Sequence, residues 1–100
     1  MSNKLTFNEV KEKNLGLLVQ YVPVVARVHG DSHPEFHKVH KEFNSLVSKI
    51  SKAGTERPEL DDEFAKLREI TGNYKIPNDV CETYEAVYKM ISELDEAYNA

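Results

Sequence analysis

All four histidines of this 100-residue chain fall within one stretch, VHGDSHPEFHKVH, residues 28–40. His29, His33, His37 and His40 recur at spacings of four, four and three. Imidazoles at helical spacing are what a metal centre needs, and Zn2+ and Ni2+ suit an imidazole set. His37 and His40 share one side of a helix. His40 borders the apolar pair Phe36 and Phe43, and His37 leans toward solvent. His33 stands before Pro34, at a helix entrance. With His29 across the turn and Asp31 as a carboxylate, these residues form a candidate surface metal site. The plainer expectation is a helix–turn–helix corner with exposed or half-buried histidines.

Other chemistries find less support. His37-Lys38 and His40-Lys41 each put a cation beside an imidazole, as a phosphotransfer domain would use. Glu42 and Phe43 follow, however, where a docking partner needs small residues. Cys81 is the only cysteine. It is predicted in the first turn of the last helix, where the dipole lowers a thiol pKa, but Asp79 and Glu82 oppose a thiolate. A cysteine facing the core is the expectation. Arg27, Arg57 and Arg68 are too scattered to clamp a polyanion. Tyr84 and Tyr98 fit a core role with solvated hydroxyls. Asp61-Asp62-Glu63 fits a helix start with a solvated face. The chain has no Ser-His-Asp set, Gly-rich phosphate loop or paired-cysteine zinc pattern, and no feature splits the pKa values of its acidic pairs. No enzyme is expected.

The elements that would carry these residues are marked by punctuation. Thr6 and Glu9 form a capping-box pattern, with Leu5 and Val10 placed as a hydrophobic staple. Leu18, Val22, Val25 and His29 then recur at helical spacing, with Leu17, Tyr21, Val24 and Val28 beside them. This predicts a helix over 7–28, kinked at Pro23 and ended by Gly30. Ser32 as cap, with Glu35 as its partner, opens a second helix over 34–53. Its stripe is Phe36, Val39, Phe43, Leu46 and Ile50. Pro58 opens a third over 58–71, and a fourth spans 78–98.

Four amphipathic helices joined by short loops predict one all-α domain over 1–100, an up-down-up-down four-helix bundle. Hydrophobic residues make up 40% of the chain, enough for one core, and the net charge is −4. That balance argues against nucleic acid and anionic membranes, which need a basic footprint. No apolar run approaches the ~20 residues of a membrane span, and the first residues lack an apolar signal core. With one cysteine, the expectation is a cytoplasmic protein.

Two segments, RVHGDSHPE (27–35) and LREITGNYKIPNDVCETYEAVYKMISEL (67–94), resemble the iron–sulfur-cluster repair di-iron proteins of the hemerythrin-like superfamily. The resemblance covers about a third of the chain. It implies a hemerythrin-like bundle, two irons held by His and bridging carboxylates, and a role in repair under nitrosative or oxidative stress. Of the implied ligands only His29 carries over. TFNEVKEKN in the first helix, LVSKISKAG at the end of the second and Glu56-Arg57 before the third lack the family's His and Glu. The fourth helix stops at Asn99-Ala100 where the family continues into a ligand segment. A di-iron centre cannot form from one histidine. The expectation is therefore a short relative with a degenerate or absent site, no cofactor (iron or zinc being the alternatives), and a protein partner or self-association. The competing reading is a metal-free interaction module.

Overall fold

The computed structural model describes residues 6–54 and 56–99. It contains four helices, α1 (Phe7–His29), α2 (Glu35–Ala53), α3 (Asp61–Thr71) and α4 (Glu82–Tyr98). Among the described residues, none is long and apolar enough to cross a membrane.

The start of α1 matches its sequence signature. Thr6 Oγ1 accepts from the Glu9 N–H at 3.2 Å, and Glu9 Oε1 accepts from the Thr6 N–H at 2.9 Å. Those Thr6 bonds hold the Glu9 carboxyl below its ordinary value. The staple partner Leu5 lies outside the described residues. Pro23 sits on the exposed side of α1, and the helix continues through it to His29. Gly30 caps it in a right-handed conformation, φ −60°. It must be glycine for a steric reason. The Ala26 carbonyl and the His37 ring occupy the space a Cβ would need.

Three helix starts differ from the sequence expectation. Ser32 does not cap α2. The 29–36 turn satisfies its own backbone instead, through His33 N–H to His29 O at 2.8 Å and Phe36 N–H to His33 O at 2.9 Å. Helix α3 begins at Asp61, not Pro58: Leu60 stands before it with a non-helical φ of −114°, and its buried N–H donates to the Tyr98 hydroxyl at 2.9 Å. Helix α4 begins at Glu82, not 78, after an extended Cys81. The turn before it carries three consecutive left-handed residues, Gly72 (φ 62°), Asn73 (φ 63°) and Tyr74 (φ 64°). Glycine and asparagine tolerate this region, but a tyrosine there costs about 1–2 kcal/mol. Two bonds hold it, Tyr74 N–H to Thr71 Oγ1 at 2.8 Å and Tyr74 O–H to Asp95 Oδ2 at 2.7 Å.

Helix α1 packs on both α4 and α2, and α2 on α3, the neighbour order of an up-down-up-down bundle. The α3–α4 side is closed by Phe64 against Tyr98, with ring centroids 5.3 Å apart. The radius of gyration, 13.1 Å, is that of a fully collapsed chain of this length, about 13 Å. Apolar side chains fill the axis, with Leu18, Val22, Phe36, Leu46, Phe64, Leu67, Tyr84 and Leu94 fully buried.

A polar clamp lies at three of the helix contacts. Asn14 on α1 donates to Glu93 Oε1 (3.0 Å) and the Met90 carbonyl (3.4 Å) of α4. Glu63 on α3 accepts from Ser45 (2.8 Å) and Lys49 (3.1 Å) on α2. It is buried, not part of the solvated face expected for Asp61-Asp62-Glu63. Asp95 on α4 accepts from Arg68 on α3 (2.8 and 3.2 Å), from Tyr74 and from the Asn99 amide (2.7 Å). A buried carboxylate is tolerable only with such partners.

Candidate functional site

The histidine stretch forms one end of the bundle. Helix α1 delivers His29 at its last turn, the 30–34 turn delivers His33, and the loop before α4 brings Asp79 and Cys81 to the same end. Tyr84, buried on α4, is the floor. The rings of His29 and His33 meet its ring edge-to-face, with centroids 5.3 and 5.5 Å away. Phe36 and Tyr88 pack against it at 5.0 and 4.9 Å.

The four histidines have four different environments. His29 Nε2 lies 3.1 Å from Cys81 Sγ. His33 Nδ1 lies 3.1 Å from Glu35 Oε2, and its Nε2 lies 3.1 Å from Asp79 Oδ1. A neutral imidazole donates to only one of these carboxylates; the imidazolium donates to both. His37 is exposed, with its ring over Gly30. His40 is half-buried on α2. Asp31 is exposed. The structure therefore pairs His29 with a thiol and His33 with two carboxylates. Among the described residues, no group of three or more His, Cys, Asp or Glu side chains is arranged to hold a metal ion.

Cys81 corrects an expectation. It stands one residue before the first turn of α4 and is exposed, not turned into the core. The extended backbone at 81 (ψ 171°) swings it toward α1, where His29 meets it. The tyrosines correct another. The Tyr84 and Tyr98 hydroxyls are not at a solvated rim. Tyr84 O–H pairs with Tyr88 O–H at 3.2 Å inside the core, and Tyr98 O–H holds Leu60. Burial first, and then the hydrogen bond to Tyr88, push the Tyr84 phenol well above its usual range. Burial also raises that of Tyr88, against a smaller opposing effect of its bond to Tyr84. Both phenols therefore stay protonated at ordinary pH.

The chain's own donors do not fit a di-iron centre. The axis is filled with aliphatic and aromatic side chains, and the two buried carboxylates, Glu63 and Asp95, are committed to Lys49 and Arg68 at the periphery. The histidines stand at one end, outside that axis.

Sequence reasoning passed over a second surface. Leu17, Val24 and Val28 on α1 are 44%, 41% and 63% exposed, with Tyr21 half-buried between them. Their spacing of four, three and four aligns them on one face. The signal was present in the sequence. Helix α1 carries two apolar stripes, 18/22/25/29 and 17/21/24/28, and one core takes only one of them.

No known family's model matches the chain, and neither the curated proteins nor the solved structures hold a significant match to it.

Proposed function

We propose that this chain is a short hemerythrin-like relative of the iron–sulfur-cluster repair proteins that has lost their di-iron chemistry and works as a protein-interaction module through the outer face of α1. Two lines support the reading. The resemblance of residues 27–35 and 67–94 supports the superfamily. The single observation that carries the mechanism is the exposed row Leu17, Val24 and Val28, on a helix whose other apolar face is already buried in a filled core. Apolar rows of this kind mark contact surfaces.

Two experiments test it. Untagged protein is offered Fe(II) anaerobically, and Zn2+ separately, then desalted and assayed for metal, with His29→Ala as control. No retained iron is expected. Two irons per chain, lost in the variant, would overturn the loss of di-iron chemistry. A photo-crosslinking residue is then placed in cells at Val28 on α1 and, separately, at exposed Lys66 on α3. A discrete protein adduct from position 28 and none from 66 is expected. No adduct from 28, or equal labelling from both, would overturn the interaction face.

A further inference from the structure

We propose that residues 75–80, between the 72–74 turn and α4, form a strap that opens on its own while the four helices stay folded. Opening joins a groove on α4 to the aromatic floor under His29 and His33. The device is separate from the α1 face and does not depend on it.

A connection laid against a core ordinarily finds partners for its N–H and carbonyl groups. Among the described residues, no backbone hydrogen bond ties residues 76–80 to the rest of the bundle. Their only side-chain bond to it is Asp79 Oδ1 to His33 Nε2, at 3.1 Å. Ile76 and Val80 pack half-buried against the core, so apolar contact and one latch hold the strap down. The latch is weak on one side. The Asp79 side chain is 71% exposed, and an exposed pair of this kind adds little. The post it meets is fixed. His33 is bonded to Glu35 through its other ring nitrogen and is seated on Tyr84.

The two ends are built to stay in place. At the root, Tyr74 holds its left-handed backbone (φ 64°) under the bonds to Thr71 and Asp95. Lys75 N–H reaches the Thr71 carbonyl at 3.1 Å. Strained residues of this kind collect where a segment changes state. At the tip, Cys81 is extended and stays with α4, its carbonyl accepting from the Glu85 N–H at 3.1 Å.

A groove lined by Asn73, Tyr74, Tyr88, Lys89, Ser92 and Glu93 opens beside the root. Its Tyr88 packs on Tyr84, with centroids 4.9 Å apart, and Tyr84 carries His33. Lifting Ile76, Asp79 and Val80 therefore extends one groove along α4 to an aromatic floor, with no helix displaced. Such an opening is local unfolding, with a free energy below that of the whole chain.

The experiment is native-state trypsin digestion of the full chain over a urea series below the unfolding midpoint. Mass spectrometry follows the bond after Lys75, the one trypsin site in the strap. Rates are normalised to those of a free peptide spanning 70–82 with the same substitution, which removes the protease's own preferences. Cleavage after Lys75 should be nearly independent of urea, because a small opening exposes little surface. Cleavage after Lys41, inside α2, should rise steeply. Asp79→Ala should speed the cut after Lys75 roughly threefold, with the urea midpoint unchanged. Asn78→Ala, beside the latch and without a bond to it, should leave the rate alone. Both side chains are exposed, so folding is not at stake. A cut after Lys75 that follows global unfolding overturns the proposal, as does a rate that ignores Asp79→Ala. An equal gain from Asn78→Ala, or a midpoint that falls in step with the rate, overturns it as well.

Discussion

Asp95 closes the bundle between α3, the 72–74 turn and α4, so replacing it with alanine tests how the fourth side is held. Its carboxylate is buried and accepts from three side chains. Tyr74 O–H is the strongest expected partner. Burial, then the bond to Asp95, drive that phenol well above its usual range, so it remains a donor across ordinary pH. A partly buried hydroxyl left facing a deleted charged acceptor costs about 1.5–3 kcal/mol. The Arg68 pair is two-pronged, but the Arg68 side chain is 40% exposed, and water replaces much of what it loses, leaving about 1 kcal/mol. Asn99, exposed at the end of α4, adds little. Against these, the left-handed Tyr74 relaxes once its anchor is gone and returns about 1 kcal/mol. The sum is a loss of about 1.5–3 kcal/mol. In urea, with a slope of about 1.5 kcal/mol per molar, the midpoint should fall by roughly 1–2 M. A double-mutant cycle apportions it, and the coupling of Asp95→Ala with Tyr74→Phe should exceed its coupling with Arg68→Ala. A loss below about 1 kcal/mol, or a larger coupling to Arg68, would refute the reasoning.

Further outcomes follow from the same contacts. Burial raises the Glu63 carboxyl, but the Lys49 and Ser45 bonds together outweigh it and hold it below its ordinary value of 4.5. A depressed carboxylate contributes stability above its unfolded value and loses it as pH falls through the folded one. Thermal midpoints of the native chain should therefore drop on acidification below pH 4.5, and Glu63→Gln should flatten that drop. Tyr98→Phe leaves the buried Leu60 N–H without an acceptor and should cost about 1–3 kcal/mol in urea titration; an unchanged midpoint would show that water replaces the phenol. Gly30→Ala forces a methyl against the Ala26 carbonyl and the His37 ring and should cost about 1–3 kcal/mol. His37→Ala in that background should restore only part, since the carbonyl stays; complete rescue would place the whole clash in the imidazole.

Local chemistry made the helices legible. The capping box at Thr6 and Glu9, Gly30 at the end of α1 and the single-face stripe of α2 are signals read within a few residues, and they fix where α1 and α2 run and which face of α2 is buried. The absence of most ligands of the family that the chain resembles was equally visible, because a missing histidine is a property of composition. What only the folded chain decided depends on contacts across dozens of positions. Tyr98 reaches the Leu60 N–H before α3, Asp95 collects partners from α3 and the 72–74 turn, and Asp79 and Cys81 reach the histidines from the far end of the chain. No local pattern specifies such pairings. The two stripes of α1 show the boundary most clearly. Both were written in the sequence with equal strength, and only the packing of α4 and α2 around one of them left the other facing solvent.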